Sequence, residues 1–237
     1  MDLLEAIEAR HSVRAYTDQP IGEDVRKQLQ DEIDRCNAEG NLRIKLVCDE
    51  PEAFDSTLAH YGKFSNVRNY LVLAGAPAAD LDERCGYYGE RIVLLAQQLG
   101  LNTCWVALTF KKRYVKKMLE PGTKLSLVIS IGHGVDDGRP HKSKGNADVG
   151  HVSTGEPAPE WFTRGIEAAL LAPTAVNQQK FDITLLGETD TSGKPLVSIA
   201  SLGGSYANVD LGIVRLHFEI GAGTESFAWK NPLKNES

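Results

Sequence analysis

The chain has few cysteines, and no pattern among them. Cys36, Cys48, Cys85 and Cys104 are the only four in 237 residues, with no CxxC pair and no metal-ligand spacing. That excludes a zinc ribbon and a disulfide-stapled scaffold, and it reads as reduced thiols in a cytoplasmic protein. No apolar run approaches the roughly 18–20 residues of a membrane span. The opening MDLLEAIEAR lacks the basic-then-apolar order of a secretory signal. A basic excess is also missing. Lys and Arg number 26 against 32 Asp and Glu, a net charge of -6, which argues against nucleic acid as the main partner. His60, His133, His151 and His217 show no ligand pattern, so no metal is expected, and His217 on an apolar helix reads as a satisfied core histidine. Ser12 has no triad context, which disfavours a hydrolase.

What is present is an ordinary globular composition, 42% hydrophobic and 24% charged, long enough for one large or two small domains. Asp2 and Glu5 form a capping-box pair ahead of a short helix, and Arg10 closes it. Val25, Leu29 and Ile33 predict a helix over 23–36. The alternation in NLRIKLVC predicts a strand over 41–48, and the apolar run YLVLAG a buried strand over 70–75. Residues 84–100 predict a helix apolar nearly all round, which belongs in the middle of the molecule. It ends at Gly100 and leads into a turn around Trp105. LSLVISI predicts a strand over 125–131. Residues 134–158 read as a long polar loop with a cation cluster at Arg139, His141, Lys142 and Lys144, standing out in an acidic chain. A helix over 161–171, strands over 181–186 and 196–200, and a helix over 210–221 complete the pattern.

Two stretches carry the chemistry. RHSVRAY, residues 10–16, packs two arginines, a histidine and a serine into five positions. Ser12 and Arg14 fall on one side of an extended segment. Two guanidinium forks and a hydroxyl suit a phosphate, although cations closing a helix also read as a solvated end. APTAVNQQ, residues 172–179, follows the fourth helical segment, and its Asn177 and Gln179 read either as ligands or as turn residues. There is also a faint internal repeat. YGERIVLLAQQLGLNTCWVA and VDLGIVRLHFEIGAGTESFAW are each an apolar helix, a glycine stop and a Trp.

Together these motifs resemble the nitroreductase family of FMN-dependent oxidoreductases. RHSVRAY is similar to that family's Arg-x-Ser-x-Arg-x-Phe/Tyr motif, and APTAVNQQ to its Ala-Pro-Ser-x-x-Asn-x-Gln-Pro motif. LLAQQLGLNTCWVA resembles the central helix and Gly-Leu-Gly-Thr-Cys-Trp turn, and Lys142-Ser143-Lys144 a basic element after the last strand. The chain departs from the family in one respect. The second motif normally follows the first after one helix, but here that place is Cys36-Asn37-Ala38-Glu39-Gly40, and the motif stands at 172–179.

The resemblance implies an α+β, nitroreductase-like fold in which two related α/β halves of one chain pack around central apolar helices. Residues 1–150 would form the half with the phosphate motif and 151–237 the half with APTAVNQQ, the two making one compact unit. The ordinary family is homodimeric, with FMN between subunits. A diverged subgroup, similar to a nitroreductase-type protein from a thermophile, is expected to build one flavin site within a single chain as a pseudo-dimer. A monomer fits this layout and a homodimer is left open.

By the same resemblance, Arg10, Ser12, Lys142 and Lys144 hold the phosphate with His11 nearby, while Arg139 and His141 are solvated loop residues. Arg14 lies near the N1–C2=O2 edge of the flavin as its electrostatic partner. Pro173, Thr174, Ala175, Asn177 and Gln179 contact the ring edge and ribityl chain. Leu108 and Thr109 offer a backbone N–H toward N5. The implied activity is hydride transfer from NADH or NADPH through FMN to a small-molecule acceptor, a nitroaromatic or quinone, with no membrane or nucleic-acid partner. The alternatives are a flavin-binding protein without turnover, such as a sensor or carrier, and a scaffold that has lost its flavin.

Overall fold

Asp2 caps α1 (Leu3–Ala9) through the expected box: its side chain accepts the Glu5 N–H, and the Glu5 side chain accepts the Asp2 N–H. The computed structural model describes residues 1–233 apart from the side chains of Leu58 and His60, so His60 lies outside the described residues. α2 (Glu23–Gly40) runs four residues past the expected end. It stops where Asn41 turns left-handed (φ 46, ψ 50) and returns its N–H to Asn37 O, a C-terminal device that asparagine tolerates. The strand expected from residue 41 is therefore shorter, β1 (Lys45–Val47), preceded by an isolated bridge from Leu42 to Gly75.

A short α3 (Thr57–Tyr61) leads to β2 (Tyr70–Gly75), buried at all six positions as its composition requires. α4 (Leu81–Gln98) begins a turn earlier than the apolar pattern indicated. Gly100 (φ 76) then reverses the chain into β3 (Asn102–Val106). The segment around Trp105 is thus a strand rather than a turn, because Asn102–Val106 pair in register with Gly132–Val128. α5 (Lys112–Lys116) and β4 (Lys124–Gly132) follow. The stretch 134–158 is not wholly irregular, since it holds a 3-10 turn at Asn146–Asp148 and β5 (Gly150–Val152). Last come α6 (Glu160–Leu170), β6 (Phe181–Thr189), β7 (Pro195–Ser201), α7 (Ala207–Ala222) and β8 (Ala228–Trp229).

The strands form two four-stranded sheets, β1-β2-β4-β3 and β5-β6-β7-β8. Each central helix leads into an edge strand that carries a tryptophan, α4 into β3 with Trp105 and α7 into β8 with Trp229. The sheets differ in strand direction. All pairs are antiparallel in the first, whereas β5–β6 and β7–β8 are parallel in the second.

Between the sheets, α4 and α7 pack against each other, and one apolar core spans both halves, from Leu29 and Leu71 to Phe181 and Phe218. Their crossing is closed by glycines. A Cβ on Gly86 would strike the Val209 carbonyl, and one on Gly212 the Glu83 carbonyl. No helix among the described residues is long and apolar enough to cross a membrane.

Candidate functional site

Beyond the C-cap Arg10, residues 11–17 run extended and are stitched to the first sheet. Val13 N donates to Thr103 O, Tyr16 N to Ser65 O and Thr17 N to His133 O. Val13 and Tyr16 face inward, and the buried Tyr16 hydroxyl, 2.8 Å from Ser130 Oγ, anchors the segment. Desolvation pushes that hydroxyl well above its ordinary pKa. With those residues buried, His11, Ser12 and Arg14 are left for the open side.

The second stretch is a tight turn in an unusual backbone. Val176 (φ 47), Asn177 (φ 54) and Gln179 (φ 44) all lie in the left-handed region. A β-branched residue is costly there, of order 1–3 kcal/mol, so the turn must be held by its surroundings. The clamps are visible. Asp210 at the start of α7 accepts Ala175 N–H at 2.9 Å and Gln178 Nε2–H at 2.7 Å. Asn177 Nδ2 donates to Lys142 O. Buried Gln179 donates to Leu170 O and accepts Lys144 N–H, and its own carbonyl accepts Lys144 Nζ. Burial pushes the Asp210 carboxyl up to about 6.

These two stretches, more than 150 positions apart in the chain, wall one cleft of about 430 Å³. Its lining comprises Arg10, His11, Ser12 and Arg14 on one side and Pro173, Thr174, Val176 and Asn177 on the other, closed by Gly138, Arg139 and His141. Gly138 (φ 74) is needed because a Cβ would press on His11 Cβ at 2.9 Å. Three arginines and two histidines thus converge, with no carboxylate among the described lining residues, in a chain of net charge -6. The volume lies within the range for small-molecule sites, ~300–1,000 Å³. Among the described residues no cluster could hold a metal.

Of the other residues expected at the site, Ala175 and Gln179 sit in the turn but do not line the cleft. Gln179 is committed to hydrogen bonds that brace it. Lys142 and Lys144 are exposed and outside the lining, Lys142 offering its carbonyl to Asn177 and Lys144 tying down Gln179. Leu108 is 65% exposed, and neither it nor Thr109 lines the cleft. A Cβ on Gly62 would meet Thr109. Arg139 and His141, expected to be solvated loop residues, both line the cleft; Arg139 stays exposed, whereas His141 is half-buried with Nε2 2.9 Å from Leu170 O. The loop that carries them has no periodicity, so its path could not be read from sequence.

Arg10 is 3% exposed, and its buried Nε has no hydrogen-bond partner among the described residues. The nearest anion is Glu90 Oε1, at 3.7 Å. Glu90, fully buried in the middle of α4, accepts Trp105 Nε1–H at 2.8 Å and lies 2.9 Å from His217 Nε2. Sequence reading missed Glu90, although a carboxylate amid the apolar run of α4 was the available signal.

A family model described as Putative TM nitroreductase matches residues 2–222. Among solved structures, a putative nitroreductase from Thermotoga maritima aligns over 93% of this chain and 83% of its own, at 22% identity and a TM-score of 0.62. A putative nitroreductase from Desulfovibrio desulfuricans, in complex with FMN, aligns over 67% of this chain and 99% of its own, at 15% identity and a TM-score of 0.51. A nitroreductase-like protein from Streptococcus mutans aligns over 61% and 94%, at 13% identity and 0.52. No curated protein matches. The structural likenesses show a nitroreductase fold.

Proposed function

We propose, from the premise that this chain belongs to the Putative TM nitroreductase family, that it is an FMN-dependent oxidoreductase fed by NADH or NADPH. The single observation that carries the reading is the cleft itself, in which buried Arg10 and the Arg14, Arg139, His11 and His141 side chains meet with no carboxylate among the described lining residues. The donor set fits a phosphate-bearing group. Arg10, Ser12 and His11 would hold the phosphate, with Arg139 and His141 closing over it and the Lys142–Lys144 segment adding positive potential from outside.

Bound FMN would supply the two-electron chemistry, taking hydride from the nicotinamide and delivering it to a nitroaromatic or quinone. Arg14, whose guanidinium lies 5.9 Å from the Phe64 ring centroid, would stabilise negative charge that grows on the ring edge during reduction. Pro173, Thr174 and Asn177 would form the facing wall. With both walls drawn from one chain, the intramolecular pseudo-dimer is the assembly we favour, carrying one flavin per chain.

The test is optical. Purified protein loaded with FMN should lose its visible absorbance under excess NADH or NADPH without air and regain it on addition of a quinone. Flavin that stays oxidised under both reductants would overturn the oxidoreductase reading in favour of a flavin-binding module. Protein that takes up no FMN would overturn both.

A further inference from the structure

The buried cluster behind Arg10 assigns a role to residues that do not touch the cleft. His217, on α7 and fully buried, places Nδ1 3.1 Å from the carbonyl oxygen of Ala168. A carbonyl only accepts, so Nδ1 carries a hydrogen. Glu90 Oε2 is occupied by the indole N–H of Trp105. The remaining contact, His217 Nε2 to Glu90 Oε1 at 2.9 Å, holds one proton. If the proton sits on nitrogen, the pair is imidazolium and carboxylate. If it sits on oxygen, the pair is imidazole and carboxylic acid. The Glu90–His217 pair is neutral either way.

That count leaves Arg10 uncancelled. Its guanidinium is 3% exposed, its Nε has no hydrogen-bond partner among the described residues, and the carboxylate 3.7 Å away already answers to two other donors. A buried cation without a counter-ion is unfavourable, and an anion arriving in the cleft relieves it. We propose that Glu90 is a positioning residue for the flavin phosphate. It stands behind Arg10 at 3.7 Å without hydrogen-bonding it, biasing where the guanidinium sits, while His217 keeps it from neutralising the charge that the cleft presents. The proposal rests on the flavin reading above and deepens it. It also gives α4, α7 and β3 a common link to the site, since Glu90, His217 and Trp105 belong to those three elements.

The experiment compares FMN with riboflavin, which has the same ring system and no phosphate, by fluorescence titration of flavin-stripped protein. Glu90→Gln should weaken FMN about tenfold, the lower end of what outer-shell partners contribute at metal sites, and riboflavin by less than about twofold. In an Arg10→Ala background the same substitution should add nothing. His217→Gln, which cannot share a proton and leaves Glu90 ionised beside Arg10, should lower the FMN-to-riboflavin ratio as well, and it decides the matter if Glu90→Gln does not fold. Equal weakening of both flavins, or additive losses in the Arg10→Ala Glu90→Gln double variant, would overturn the positioning role while leaving the flavin reading intact. Wild-type protein that binds FMN no tighter than riboflavin would overturn the phosphate assignment and this inference together.

Discussion

Arg10 and Arg215 are buried to the same extent, 3% exposed each, and each faces a glutamate of α4, Glu90 and Glu83 respectively. Seven residues separate those glutamates, about two helical turns. Each arginine also has one buried nitrogen with no hydrogen-bond partner among the described residues, Nε of Arg10 and Nη1 of Arg215, but in their ion pairs the two differ. Arg215 sets Nε and Nη2 on Glu83 Oε1 at 3.1 and 2.9 Å and lies 4.6 Å over the Trp229 ring. Arg10 reaches no closer than 3.7 Å to a carboxylate that already holds Trp105 and His217. Equal burial therefore conceals opposite purposes. One cation is spent inside the protein, joining α7 to α4, and the other is kept for whatever enters the cleft.

The comparison can be broken by substitution, and the largest effect is expected at Arg215. Arg215→Met removes the buried partner of a half-buried glutamate and should lower the unfolding free energy by about 3 kcal/mol, the low end for a buried pair, in chemical denaturation, with FMN affinity of the folded protein unchanged. Arg10→Ala should do the reverse. Glu90 keeps two donors, so stability should change little, while FMN affinity falls by about 2–3 kcal/mol, the scale of a charge-assisted contact to a buried group. Matching stability losses in the two variants would erase the distinction.

Asp210 probes the clamp on the 174–179 turn. Its carboxyl is raised from 3.8 to about 6 by burial, so between those values the folded state holds more protons than the unfolded one. Stability from this group is present below about pH 4 and is lost as pH rises through about 6. Asp210→Asn should thus gain on the wild type by on the order of 2–3 kcal/mol between pH 4 and 7, read from denaturation at each pH. A constant difference across that range would refute the assignment. The smallest effect belongs to Arg139→Ala. That side chain is exposed, and the loss of FMN affinity should stay under about 1 kcal/mol, well short of Arg10→Ala.

Much of the fold was legible where burial is complete. YLVLAG is buried at every position, and its strand limits follow from composition alone. Reading failed where a boundary depends on one backbone angle or on a distant partner. The end of α2 is set by Asn41 in the left-handed region, and NTCWV is a strand only because β4 pairs with it. At the site, both motifs were visible, since clustered arginines and an Asn/Gln-rich turn stand out locally. Their convergence was suggested by family likeness rather than by spacing. The contribution of Arg139 and His141 depends on how the loop folds over His11, with Gly138 allowing the approach, and no local pattern announces it. Gln179 shows the converse. It was a reasonable ligand by type, but the fold uses it to brace the turn against Leu170 and Lys144.

The cleft draws residues 10–14 and 173–177 from a single polypeptide. A site shared between separate molecules is populated according to their concentration and dissolves on dilution. A site whose walls are covalently joined forms in a first-order process, at an effective concentration set by the chain itself. Its ligand affinity is therefore expected to be the same at nanomolar and at micromolar protein.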